Sequence, residues 1–151
     1  MNFEPTATDI TCIDGTCKKG KPREIRERVF QYALRAIKLY QHLQRQKDGA
    51  GWILGKQYPR AACSIGANIE EAQSGESRAD FIHKLGIAEK EARESLYWLR
   101  LTLRAGIVSA GKLDPLMKET EELIAVLASI ILSARGKRSL ERGSGVSIHN
   151  S

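Results

Sequence analysis

RAACSIGANIEEAQ at residues 60–73, SGES at 74–77 and RADFIHKLGIAEKEARESLYWLRLTL at 78–103 decide how this chain folds. At about 100° per residue, Leu54, Tyr58, Ala61, Ala62, Ile65, Ile69 and Ala72 fall on one stripe of a helix. Beside it runs a polar ridge of Gln57, Arg60, Ser64, Asn68 and Glu71, with Asn68 nearest the apolar edge. A half-buried Asn must find a hydrogen-bond partner or destabilise the fold. Ser64, Asn68 and Glu71 are therefore read as structural polar residues, with the Asn68 amide bonded to a neighbouring helix. Small residues at Ala61, Ala62, Gly66 and Ala67 allow that neighbour to come close.

The third helix of the chain carries two apolar faces. Phe81, Leu85, Ala88, Ala92, Leu96, Leu99 and Leu103 recur at steps of three and four and form an ordinary core stripe. Roughly opposite sit Ile87, Trp98, Leu101 and Ala105. One bundle cannot easily bury both, and an exposed apolar patch usually marks a contact surface. Ile87, Trp98 and Leu101 are thus the expected oligomer interface. The alternative is a single Trp packed under charged stems. Between the two helices, Ser77 is an expected N-cap with Asp80 three residues on.

Residues 64–99, with Ser64-Ile65, Ala67-Asn68-Ile69, Glu71, Phe81, Ala88 and Tyr97-Trp98-Leu99, closely resemble the four-helix-bundle proteins encoded in 23S rRNA intervening sequences. A more distant likeness is to the accessory variability protein of diversity-generating retroelements. The resemblance runs from about Val29 to Ala134 and departs at Ala72, where the family often has Gly. It implies an up-down bundle that assembles into homo-oligomeric rings, often pentamers, and a nucleic-acid or ribonucleoprotein role in a bacterial cytoplasm.

Working outward, a first helix is expected from about Arg23 to Lys47, with Ile25, Val29, Ala33, Ala36, Ile37, Tyr40 and Leu43 as its core stripe. Its other side carries Arg28, Arg35, Lys38, His42 and Arg45, and residues 23–47 hold seven Lys or Arg against two Glu. A charge run is usually a solvated face. Here acids for pairing are nearly lacking on the same helix, so the stripe is a candidate phosphate-binding surface, with Tyr32 and His42 available for stacking. Arg93, Arg100 and Arg104, with Lys90, form a second basic patch on the third helix.

Asp48-Gly49-Ala50-Gly51 is expected to end the first helix through a glycine cap. The second helix is expected from about Trp52 to Gln73, with Pro59 breaking or shifting its start. The fourth is expected from about Leu113 to Arg135, with Asp114 and Pro115 in its first turn. Its core face is Leu113, Leu116, Met117, Thr120, Leu123, Ile124, Leu127, Ile131 and Ala134.

The fold expected is all-α: an up-down-up-down, left-handed four-helix bundle over residues 22–136, flanked by disordered tails at 1–21 and 137–151. The length of 151 residues, 42% hydrophobic content and 28% charged content suit one soluble domain. A net charge of +6 favours polyanionic partners, RNA or DNA. The first residues, MNFEPTATD, lack the apolar core of a secretory signal, and Leu123–Ala134 is too short an apolar-rich stretch to span a bilayer. A cytoplasmic protein that does not enter membranes is the expectation.

Chemistry is sparse. A di-iron bundle needs Glu-x-x-His on each of two helices, and the nearest approach is Asp80-x-x-His83, which occurs once. Cys12 and Cys17 have no further ligands nearby, and Cys63 fits a packing role. No phosphate loop or nucleophile motif is present. No metal, cofactor or catalytic residue is expected. A non-enzymatic, nucleic-acid-binding oligomer is the first reading, and a scaffold that binds another protein is the second.

Overall fold

The computed structural model describes residues 22–45 and 49–143, with side chains over 25–45 and 49–136. Helices α1 (Pro22–Arg45), α2 (Gly49–Gln73), α3 (Arg78–Arg104) and α4 (Ala110–Gly143) make up the fold, and there is no strand among the described residues. Each helix packs on the next, and α1 also meets α4 through side chains. Pairs such as Arg26–Glu70 with Gly66 against Val29, and Arg60–Glu94 with Lys84–Glu71, show numbering rising on one helix as it falls on the other. These neighbours run antiparallel, as short connections require.

The cores of α2, α3 and α4 follow the apolar spacing of the sequence. Tyr58, Ala61, Ala62, Ile65, Ile69 and Ala72 are buried from α2, and Leu85, Ala88, Ala92, Leu96 and Leu99 from α3. Leu113, Leu116, Thr120, Leu123, Leu127 and Ile131 are buried from α4. Fully burying one such Leu or Ile is worth about 1.5–3 kcal/mol. Side chains of α1 pack closely onto glycines of α2: a β-carbon at Gly66 would lie 3.5 Å from Val29 Cγ1, and one at Gly55 3.3 Å from Leu43 Cδ1.

In α1 the register differs from the sequence expectation. Val29, Ala36 and Leu43 are buried, but the fourth buried residue is Tyr32, while Ala33 is only half-buried and Ile37 is exposed. Tyr32 can enter the core because its hydroxyl has a partner there, Thr120 Oγ1 at 2.6 Å, and Thr120 in turn donates to Leu116 O. The core layer around this pair is rich in hydroxyls: Tyr32 comes from α1, Tyr58 from α2, Ser95 from α3 and Thr120 from α4, all buried. Tyr58 Oη and Ser95 Oγ have no partner in hydrogen-bond geometry. Burial pushes the Tyr32 hydroxyl above the usual phenol range, against the pull of its hydrogen bond to Thr120, and burial pushes the Tyr58 hydroxyl well above that range.

The ends also differ. α2 starts at Gly49, ten residues ahead of Pro59, which lies inside the helix rather than at its start. α1 is described to Arg45, residues 46–48 with Asp48 lie outside the described residues, and Gly49 and Gly51 belong to α2. Ser77 caps α3 as expected, its Oγ accepting from Asp80 N–H at 3.1 Å. At the other end Gly106 takes φ +70°, with Ile107 N–H bonded to Thr102 O and Gly106 N–H to Leu103 O. This left-handed closure suits a residue without a β-carbon. α4 begins at Ala110, so Pro115 sits beyond its first turn, and it continues to Gly143, past the Gly136 boundary drawn from composition. The N-terminal tail, with Cys12 and Cys17, and residues 144–151 lie outside the described residues.

Candidate nucleic-acid interface

The basic stripe of α1 leans onto α4. Arg28 Nη2 donates to Glu122 Oε2 at 2.5 Å, and Arg35 Nη2 donates to Glu119, which also lies 3.7 Å from Arg28 Nε. The acids lacking on α1 itself are thus supplied by a helix far away in the sequence. Arg26 is held likewise by Glu70 of α2, whose hydrogen bond and charge push the guanidinium above its usual range. Lys38 and Arg45 are exposed and His42 is half-buried. Tyr32 is fully buried, so it offers no ring to a ligand, contrary to the sequence expectation.

On α3 the outcome is different. Lys90, Arg93, Tyr97, Arg100 and Arg104 recur at steps of three and four, which places them on one stripe, and all are exposed. The stripe is about 21 Å long at about 1.5 Å rise per residue. Arg93 is paired within its own helix to Glu89 at 2.7 Å, and Arg100 reaches Glu121 of α4 at 3.1 Å. Both arginine side chains remain more than half exposed, at 63% and 57%. Lys90 and Arg104 have no carboxylate within ion-pair reach among the described residues. Tyr97, 57% exposed, stands within this stripe, and the basic patch drawn from the sequence leaves it out. The usable signal is its place between Arg93 and Arg100, at the spacing that shares a helical face.

Beside this stripe, Trp98 is half-buried and packs against the core. Its indole N–H donates to Glu94 Oε1 at 3.0 Å, and the same oxygen accepts from Arg60 Nη2 at 2.7 Å. Ile87 and Leu101 are also half-buried, so this face is not the open apolar patch that the sequence suggested. Trp98 lies toward α2 rather than opposite the core. The large exposed apolar side chains are elsewhere: Phe30, Leu34 and Ile37 on α1, Trp52 and Ile53 on α2, Tyr97 on α3 and Leu132 on α4.

The polar ridge of α2 is partly local. Asn68 Nδ2 donates to Ser64 O at 2.9 Å and lies 3.3 Å from Ser64 Oγ, a bond within α2 and not the cross-helix bond expected. The tie between helices comes from Glu71, which accepts from Lys84 Nζ at 2.5 Å and raises the ammonium's proton affinity.

No group of three or more His, Cys, Asp or Glu converges on a metal-sized site among the described residues. His83 lies exposed on α3. Cys63 reaches the surface of α2, and partial desolvation pushes its thiol above the usual range, which leaves little thiolate at neutral pH. Among the described residues no helix is long and apolar enough to cross a membrane.

Residues 22–129 match the profile of the 23S rRNA-intervening sequence protein family, a span that begins with α1 and ends within α4. The chain belongs to that family. A crystal structure from Bacteroides thetaiotaomicron, described as a protein of unknown function from the S23 ribosomal protein family, is similar at 38% identity. The alignment covers 73% of this chain and 96% of that one, with a TM-score of 0.69. Among curated proteins, none matches the chain. The α3 stripe lies wholly inside the matched region and so belongs to the 23S rRNA-intervening sequence protein fold itself rather than to a tail.

Proposed function

We propose that this 23S rRNA-intervening sequence protein is a non-enzymatic bundle that binds RNA or DNA through the outer face of α3. The carrying observation is the line of exposed cations Lys90, Arg93, Arg100 and Arg104 on a rigid helix, two of them without a carboxylate partner among the described residues. Four phosphate contacts release condensed counterions, so log K should fall with log salt at a slope near −3 for single strands. The α1 stripe, including Arg28 and Arg35, contributes less, because Glu119 and Glu122 already occupy its guanidiniums. The test is retention on immobilised RNA over a salt gradient. Elution that does not move with salt would remove the basis of this reading.

Self-association is part of the same proposal and rests on a separate observation. Phe30, Leu34 and Ile37 lie on one exposed stripe of α1, at steps of four and three. Exposed apolar side chains in that arrangement favour a protein contact. They are a more open surface than Ile87, Trp98 and Leu101, which one chain already half covers. Light scattering on the wild type and on Phe30→Glu with Leu34→Glu should give a discrete oligomer, a pentamer on the family resemblance, and a smaller species for the variant. A monomeric wild type at tens of micromolar would leave the α1 stripe as ordinary surface.

A further inference from the structure

Tyr97 stands at the middle of the α3 stripe with Arg93 one turn before it and Arg100 one turn after. An exposed tyrosine is commonplace, but this one is held in place. Its ring meets the Trp98 ring edge-on, with centroids 5.0 Å apart and planes at 72°. Trp98 in turn is fixed through its indole N–H to Glu94, and Glu94 is fixed by Arg60 on α2. A chain of contacts therefore runs from the α2–α3 packing to the exposed ring. A pre-positioned aromatic face costs less conformational entropy when a ligand lands on it.

We propose that Tyr97 is a stacking platform for an unpaired base, and that the α3 face therefore takes single-stranded nucleic acid in preference to duplex. The proposal rests on the reading of α3 as a nucleic-acid surface and adds the class of strand. Aromatic faces accept any base by stacking, while flanking cations track the backbone. A duplex keeps its bases paired and presents Tyr97 with phosphates, to which a neutral ring adds little. The flanks of the stripe also disfavour a groove. Glu89 lies on one turn beside Arg93, and Glu121 of α4 lies beside Arg100. The two phosphate walls of a groove would press toward those carboxylates, whereas one backbone can follow the cations between them.

The experiment is fluorescence anisotropy of the full chain with a labelled 20-nucleotide oligouridine and with a labelled RNA hairpin duplex of matched length, each at low and moderate salt. The single strand is expected to bind at least several-fold tighter. Tyr97→Ala should weaken the single strand roughly five- to hundredfold, the range for loss of one stacked base, and leave the duplex unchanged. Tyr97→Phe should keep wild-type affinity. The salt slope should be the same for Tyr97→Ala as for wild type, because no cation is removed. Arg93→Gln with Arg104→Gln should flatten the slope by about 0.7 for each phosphate that is no longer neutralised. Alanine at an exposed helical position is safe for folding, and circular dichroism verifies that. Equal affinity of Tyr97→Ala for the single strand, or a preference for duplex, overturns the stacking proposal while a steep salt slope keeps the basic-surface reading. Absence of salt-dependent binding to either probe overturns both.

Discussion

α1 and α3 carry similar numbers of cations on their outward sides, yet the bundle uses them differently. On α1 the guanidiniums of Arg28 and Arg35 turn onto Glu119 and Glu122 of α4, and the tyrosine of that stretch, Tyr32, is buried against Thr120. On α3 the cations stay at the surface and the tyrosine, Tyr97, stays with them. A basic count alone does not separate the two. What separates them is how far the acids of α4 reach: Glu119 and Glu122 engage both Arg28 and Arg35, whereas on α3 Arg100 alone meets an α4 acid, Glu121, and Lys90 and Arg104 meet no carboxylate among the described residues. A charge already paired offers less to an incoming phosphate.

The largest effect that could break this comparison comes from charge reversal. Lys90→Glu, Arg93→Glu and Arg104→Glu together should lower affinity for RNA by hundredfold or more, about 3 kcal/mol by the usual conversion. Neutralising the α1 stripe, with Arg28→Gln, Arg35→Gln and Lys38→Gln, should leave affinity within about threefold, under roughly 1 kcal/mol, and lower the melting temperature instead. Filter binding and thermal melts on both variants check this. Equal loss of binding from the two variants would show that pairing with α4 does not silence the α1 stripe.

The parts of this contrast that are legible in the sequence are those set by local spacing. Apolar steps of three and four locate the cores of α2, α3 and α4, and Ser77 announces the start of α3. In α1 the same rule slips by one position, because Tyr32 reads as polar until its partner Thr120, 88 positions away, is known. The charge pairing fails for the same reason: Glu119 and Glu122 are visible in the sequence, but not that they lie across from Arg35 and Arg28. Asn68 shows the opposite error, a polar side chain read as a long-range tie that is satisfied by Ser64 four residues back. The exposure of Phe30, Leu34 and Ile37 is hidden by the α1 register, since spacing assigns Ile37 to the core.

A smaller effect sharpens the comparison from the α4 side. Glu119 is only 19% exposed and contacts both Arg28 and Arg35. Glu119→Gln should cost about 1 kcal/mol of stability, near the top of the range for surface pairs because the carboxylate is shielded and shared. It should also free the Arg35 guanidinium, while Arg28 keeps Glu122, and raise RNA affinity slightly, moving α1 toward the behaviour of α3. Chemical denaturation and anisotropy on the same preparation measure both. A loss of affinity would mean that Glu119 orders a surface that RNA uses.

The smallest effect at neutral pH tests the inner side of the contrast, where α1 commits Tyr32 to the core. Tyr58 Oη is buried beside Tyr32 and has no partner in hydrogen-bond geometry, so Tyr58→Phe removes an unsatisfied polar group. At pH 7 the change should be neutral or stabilising by up to about 1 kcal/mol, whereas Tyr32→Phe, which deletes the bond to Thr120, should cost about 1 kcal/mol. The two part further in alkali. Burial raises both phenols above their unfolded value, so above pH of about 10 the unfolded chain gives up protons that the folded chain keeps. The native state then binds more protons than the unfolded one, and stability falls as pH rises, by up to about 1.4 kcal/mol per pH unit for each such tyrosine. Below that pH both states hold the proton and the contribution is fully present. Wild type should therefore lose stability steeply between about pH 10 and the folded-state pKa, and Tyr58→Phe should lose less over the same window. Thermal melts of both proteins from neutral pH into that window give the two slopes. Parallel slopes would mean that Tyr58 reaches water, and that the hydroxyl layer beneath α1 is as open as the tyrosine on α3.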